Sequence, residues 1–311
     1  GGDVYVLGNN SGGSISAIQE TGSQTSAFIS GEHLTDAEHA TLSTLINTYL
    51  QCVFITSCTE SQDYFDALTV LPNAPAMDAI DEFICGTVTD GVYPKLDRFL
   101  MFASETSEQA LTSMVNPLST LAVAVNTPVF TALRGYQTNV AQTAYIDTNF
   151  DGAVDGVKWV PGDGSVGANL RVHVPSGGTV IGAQNNLGQG TLMQPQIPGS
   201  LLLSGKVQHT GGTGSAVGSG TGTSSFQTKG NTTSREFYKD GALLVTVAAG
   251  ATHFNPSFNF YSLCLNSNGS AVSFLTAGDE VVCVWIGGEL TATEQADMHT
   301  RINTYKSAVG A

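Results

Sequence analysis

The chain has 311 residues, of which 41% are hydrophobic and only 12% charged, with a formal net charge of −15. That hydrophobic share excludes a disordered chain, and the length allows one large or two ordinary domains. The negative charge repels phosphate, which excludes nucleic acid as a partner, and the apolar runs fall far short of the ~20 residues a membrane-spanning helix needs.

In chain order, Val4–Leu7 reads as a strand. An Asn/Ser/Gly turn follows, then a second strand near Ser26–Ile29. Leu34-Thr35-x-x-Glu38 has the form of a capping box, with Leu42, Leu45, Ile46 and Tyr49 behind it at helical spacing. Met77–Cys85 has the apolar spacing of a short helix, and Asp90-Gly91 reads as a turn. Phe99–Phe102 reads as a buried strand, and Ser104 to Ala110 as the start of another helix. Prolines 72, 75, 94 and 117 punctuate this region. From about Ala122 short strands dominate: Thr131–Ala132, Ala144–Ile146, Gly156–Val160, Leu170–Val174, Val180–Gly182, Leu201–Leu203, Glu236–Tyr238 and Leu243–Val247. Lys239-Asp240-Gly241 has hairpin-turn chemistry, and the Gly/Ser/Thr tract from His209 to Ser225 reads as a surface loop.

The chain also repeats itself. Residues 5–50 fall on 261–306 without a gap, and 17 of the 46 positions are identical. The match includes Leu34-Thr35-x-x-Glu38 on Leu290-Thr291-x-x-Glu294, and Ile46-Asn47-Thr48-Tyr49 on Ile302-Asn303-Thr304-Tyr305. The repeated unit is strand, turn, strand, loop and capped helix, with Met298, Ile302 and Tyr305 on the inner helix face. Residues 1–51 are then the end of a module, an incomplete sandwich whose Val4, Tyr5, Leu7 and Phe28 are expected to be covered by other elements. The opening Gly1-Gly2 reads as a processed product or an expressed fragment.

Five cysteines, Cys52, Cys58, Cys85, Cys264 and Cys283, occur without a CxxC pair, which argues against structural zinc. In the repeat Cys264 replaces Gly8 and Cys283 replaces Ala27. If their strands are antiparallel neighbours, either a Cys264–Cys283 disulfide or two buried thiols follows.

The stretches Ala79-Ile80-Asp81-Glu82-Phe83, Gly91-Val92-Tyr93-x-Lys95-Leu96-Asp97, Ala110-Leu111 and Asn116-Pro117 resemble a recurrent pattern in tailed-bacteriophage virion proteins. So do Thr127-Pro128-Val129-Phe130-Thr131-Ala132-x-Arg134-Gly135-Tyr136, Ala144-Tyr145-Ile146-Asp147-Thr148-Asn149-Phe150 and Ile286-Gly287-Gly288-x-Leu290-Thr291. In those proteins a helical lead-in precedes a sandwich similar to concanavalin A-like lectin and laminin-G domains. The resemblance covers about 75–311. It implies a mainly β fold, an antiparallel jelly-roll sandwich with a helical connector and capped closing helices. The expected divisions are 1–51 (module end), 52–118 (helical connector) and 119–311 (concanavalin A-like sandwich with closing helix).

Two local patterns invite a ligand. Asp147, Asn149, Asp151 and Asp155 alternate like the oxygen ligands of a calcium loop, although Lys158 stands where a bidentate acid belongs; a solvated turn is the other reading. Trp159, followed by Pro161-Gly162-Asp163-Gly164, is a candidate sugar-stacking ring with Asp163 beside it, or else a core residue. Trp285, aligned with Ile29, reads as core. His173 in Arg171-Val-His173-Val could pair with a distant acid but reads as structural.

No catalytic motif appears: there is no Gly-x-Ser-x-Gly elbow, no P-loop and no Glu-x-Asp-x-x-Glu strand. The expectation is therefore a non-enzymatic virion structural protein (fibre, tail or capsid-decorating), located in the virion and needing no cofactor. Its partners would be other virion proteins and its own copies, with contact to host-surface glycan. The alternatives are a carbohydrate-binding host-recognition lectin and, third, a polysaccharide-degrading tailspike fragment.

Overall fold

The structure, a computed structural model, describes residues 57–173, 177–195, 204–209, 224–248, 253–255 and 257–311, together with the backbone of three strands in the first 57 residues. The chain divides into two compact units, Gly1–Ser57 and Cys58–Ala311.

In the first unit, β1 (Tyr5–Leu7), β2 (Ile15–Thr21) and β3 (Gln24–Ile29) form one sheet in the order β1-β3-β2, with β1 parallel to β3. The expected capped helix after it, and the expected burial of Val4, Tyr5, Leu7 and Phe28, lie outside the described residues.

The second unit opens with helices α1 (Thr59–Asp66) and α2 (Ala74–Thr89), then β4 (Leu96–Met101) and the short helix α3 (Ser107–Leu111). Asn73 caps α2 by accepting the Ala76 amide, and α3 begins with a full capping box of Thr106 and Gln109. There follow β5 (Val123–Val125), β6 (Val129–Thr131), β7 (Gly135–Gln137), β8 (Tyr145–Asp151), β9 (Asp163–Val172), β10 (Ile181–Gln184), β11 (Gly190–Gln194) and β12 (Ser204–His209). The chain closes with β13 (Ser224–Asn231), β14 (Ser234–Lys239), β15 (Ala242–Ala248), β16 (Asn259–Ser262), β17 (Leu265–Ser267), β18 (Ser270–Val272), β19 (Glu280–Gly287) and helix α4 (Ala292–Val309).

These strands make a β-sandwich. The first sheet runs β12-β11-β10-β16-β8-β5, with the β17–β18 hairpin beside β10. The second runs β15-β14-β13-β9-β19-β7-β6, with β4 also on β19. Between them lies a core drawn from both sheets, including Ile146, Phe150, Trp159, Val207, Phe226, Phe237 and Phe260. A second core lies on the far side of the second sheet, where Phe83 of α2 and Met298, Ile302 and Tyr305 of α4 pack on Phe99 and Trp285. The layers are thus sheet, core, sheet, core, helices.

Burial along single strands records this layering. All eight residues of β19 are buried, as befits a strand covered on both faces. Strand β8 instead alternates half-buried and buried residues, because only one of its faces meets a core.

Several expectations change here. Residues 58–118, expected as a connector, belong to the same compact unit as the sandwich: β4 pairs with β19 and α2 covers the sheet. The expected strand Gly156–Val160 is a turn, because the Asp97 carboxylate takes the amides of Val157, Lys158 and Trp159 that a ladder would use. The Leu201–Leu203 strand and most of the Gly/Ser/Thr loop lie outside the described residues. The hairpin at Asp240-Gly241 joins β14 to β15, with positive φ at both residues (53° and 76°), as a type I′ turn requires.

Of the two readings of Cys264 and Cys283, the buried thiols hold and the disulfide between them does not. Cys264 and Cys283 are free and buried, and the disulfide joins Cys58 to Cys85. Cys264 follows β16 in the first sheet, whereas Cys283 lies on β19 in the second, so the two strands are not neighbours. The reading of the closing helix holds: Thr291 and Glu294 form a capping box, and Met298, Ile302 and Tyr305 are buried. Trp285 is likewise fully buried.

Candidate functional site: the open face of the first sheet

Strand register builds a row of side chains across the first sheet. Lys206 pairs with Leu192, Leu192 with Gly182, Gly182 with Tyr261, Tyr261 with Asp147, and Asp147 with Val123. Directly paired residues point to one face. Their neighbours Val207, Met193, Ile181 and Ile146 point into the core, so the row lies on the outer face. Among the described residues no helical layer covers this face, in contrast to the second sheet.

The β17–β18 hairpin roofs part of the row. Leu265 lies over Gly182, where a Cβ would stand 2.8 Å from its Cδ1, so glycine is what lets the hairpin approach. Further along, Tyr145 and Tyr261 stack with ring centres 4.5 Å apart. Burial lifts the Asp147 carboxyl above the usual range, although the Asn149 amide and the Asn259 side chain both donate to it.

Between the hairpin and the β10–β11 turn is a depression of about 370 Å³, walled by Leu265, Leu187, Gln184, Gln194, Leu192 and Lys206. Lys206 is only 2% exposed. Its ammonium donates to Gln184 Oε1 at 2.8 Å and to the Gly188 carbonyl. Burial pushes its pKa down to about 8, and among the described residues no carboxylate pairs with it. Leu187, at the turn's tip, is 73% exposed. Chemically the face offers amides, an ammonium, one half-buried carboxylate and apolar patches, which is the equipment of a binding surface for a polar ligand.

Of the residues expected from sequence, Asp147 lies on this face, but neither the tryptophan site nor the calcium loop forms. Trp159 is 1% exposed, with its ring edge-on to Phe260 and its indole N–H given to Asn255 Oδ1. It offers no face to a sugar, so the stacking role is replaced by a core role. Asp163 opens β9 and accepts the Glu289 amide, tying the end of the second sheet. Asp147, Asn149 and Asp151 lie along β8, and Asp151 and Asp155 spend oxygens on the amides of Ala153 and Asp151. Among the described residues no group of three or more acidic, His or Cys side chains gathers as metal ligands would. His173 pairs with Asp279 at 3.1 Å, both side chains fully buried. Lys206 escaped the sequence reading because a single strand lysine carries no motif; only the register brings it to the face.

No helix among the described residues is long and apolar enough to cross a membrane. The sequence matches no protein-family profile and no curated protein. Solved structures resemble the fold. Domain 4 of an extracellular arabinanase from Geobacillus stearothermophilus, in complex with arabinotriose, is 14% identical, with a TM-score of 0.47 over 66% of this chain and 98% of that one. The CBM40 domain of a Ruminococcus gnavus sialidase, bound to sialyllactose, is 10% identical, with a TM-score of 0.34 over 42% of this chain and 78% of that one. A Trypanosoma rangeli sialidase mutant is 11% identical, with a TM-score of 0.45 over 74% of this chain and 39% of that one.

Proposed function

We propose that the protein is a non-catalytic carbohydrate-binding module that uses the outer face of its first sheet. The observation that carries this reading is the asymmetry of the sandwich. Helices seal one sheet, while the other presents Lys206, Gln184 and Gln194 around a depression of about 370 Å³, with Tyr145 and Asp147 further along the same face on β8. Sugar recognition needs convergent amides and hydroxyl-binding groups beside a surface for C–H faces, and this face supplies both. A glycan array followed by saturation-transfer NMR tests it: a specific glycan should bind, and Gln184→Ala and Tyr145→Ala should each weaken it several-fold. An array with no specific ligand would refute the reading.

The repeat supports a second reading, in which the protein is a virion component that assembles with copies of itself or with other virion proteins and touches host-surface glycan. Strands β1, β2 and β3 align with 261–263, 271–277 and 280–285, so the first unit echoes the closing strands of the second. Yet β1 pairs with β3, whereas β16 and β19 lie in different sheets. Three strands alone have only each other's hydrogen-bonding edges to fill. Multi-angle light scattering tests the assembly, which requires a defined oligomer; a monomer at all concentrations would refute it. The Cys58–Cys85 disulfide agrees with an extracellular particle.

A further inference from the structure

We infer that the depression beside Lys206 takes the carboxylate of an acidic sugar; this rests on the glycan-binding reading above. Three independent observations converge on it. The first is geometric. The Lys206 ammonium has three donors, and the Gln184 and Gly188 oxygens occupy two of them. Among the described residues nothing takes the third, which is left for a ligand in the depression, with the amides of Gln184 and Gln194 on its walls and Leu192 and Leu265 beside a sugar ring.

The second is electrostatic. Elsewhere in this unit four cations meet carboxylates, Lys95 with Glu294, Arg134 and Arg171 with Glu280, and Arg301 with Asp90, while buried Arg98 and Lys306 are held by neutral oxygens as Lys206 is, but neither lines the depression. Lys206 is as deeply buried as any of them, and among the described residues it has no counterion. A buried ammonium held only by neutral oxygens costs stability, and an anion in the depression would offset that cost. A single charge matches a monoanion such as a carboxylate better than a phosphate dianion.

The third is in the sequence. The chain carries 26 acidic residues, yet none occurs between Asp163 and Glu236, about a quarter of its length. That stretch includes β10, β11 and β12, which form the site, and Lys206 is the only lysine, arginine or acidic residue on those three strands. Nearby, burial and then the charges of Arg235, Lys206 and His253 keep the His209 imidazole below its usual range. The strands that form the site therefore carry a positive charge and no negative one, on an otherwise acidic protein. At physiological salt the distant negative charges are screened beyond ~8 Å, so the local field governs binding.

The test is NMR titration of the whole chain with glucuronic acid, glucose and acetate in parallel. At pH 6.5 the ammonium is charged, and glucuronate should bind about tenfold or more tightly than glucose. Binding should fade as the pH rises through about 8, where Lys206 loses its proton. In the same experiment the Lys206 titration, followed at its Cε, should move to higher pH when glucuronate is present. Lys206→Met should abolish the preference for the acid, and Lys206→Arg should retain part of it. Equal binding of glucose and glucuronate, a Lys206 titration unmoved by glucuronate, or acetate binding as well as glucuronate would each overturn the inference. If neutral glycans still bind in those cases, the module reading stands while this inference falls; if no glycan binds, both fall.

Discussion

Replacing Gly167 by alanine probes the packing that seals the second sheet. Gly167 pairs with Trp285 across the β9–β19 ladder, and Trp285 pairs in turn with Phe99 of β4. An alanine Cβ at 167 would stand 1.9 Å from Trp285 Cζ2 and 2.1 Å from Cε2, against an ordinary carbon contact of ~3.5–4.0 Å. The ring has little room to retreat. It is fully buried and stacks on Phe99 at 6.1 Å and 11°, beneath the side chains of α4. Overpacking of this kind costs ~1–3 kcal/mol, and a clash against a boxed-in ring belongs at the upper end. Reduced freedom of the unfolded chain returns ~0.4–1 kcal/mol, because Gly167 has no positive φ. The net expectation is a loss of about 2–2.5 kcal/mol, or roughly 5–10 °C in Tm for a unit of this size. Calorimetry and urea unfolding measure it, with the fluorescence of the two buried tryptophans, Trp159 and Trp285, as the probe. In a Trp285→Leu background the same substitution should cost less than about 0.5 kcal/mol, giving a coupling of about 2 kcal/mol. A Gly167→Ala variant within 0.5 kcal/mol of the parent, or a cost that persists without the indole, would refute the argument.

Reduction of Cys58–Cys85, or Cys85→Ser, should lower stability by ~3.5 kcal/mol on the chain-entropy estimate for its separation of 27 residues, read from unfolding curves with and without reductant. Cys264 and Cys283 should resist maleimide at pH 8 in the folded protein and react only in denaturant. Both are buried, and burial pushes the Cys283 thiol up to about 12, as peptide mass spectrometry would verify. Thr291→Ala should cost about 1 kcal/mol by removing the cap of α4, measured by urea unfolding. Burial would raise the Glu294 carboxyl, but hydrogen bonds from Lys95 and Thr291 outweigh it and hold it below the 4.5 of the free side chain. The stability Glu294 contributes is therefore present above pH 4.5 and lost as the pH falls through its lower folded value. Glu294→Gln should flatten that part of the acid-unfolding curve, and an unchanged curve would remove Glu294 from the account.

Much of the fold was legible in sequence because its signals are local. The capping box at Thr291-x-x-Glu294, the turn at Asp240-Gly241 and the helical spacing of Met298, Ile302 and Tyr305 each depend on residues a few positions apart, and each appears as read. The errors arose where distant residues decide. Gly156–Val160 has strand composition, but Asp97, some sixty residues upstream, takes its amides and makes it a turn. In sequence Trp159 is open to a sugar-platform or a core reading, and Asn255 and Phe260 decide for the core. For Cys264 and Cys283 the sequence leaves a disulfide and two buried thiols open, and the sandwich decides for the thiols by placing them in separate sheets. The sequence by itself therefore determined the class of fold, the caps and the composition of the faces, all set by short-range periodicity and backbone chemistry. Only the tertiary structure decided which face stays open, because helices from both ends of the second unit must first seal the other sheet. The same holds for the row from Lys206 to Val123, which is assembled from six strands and exists only once their register is fixed.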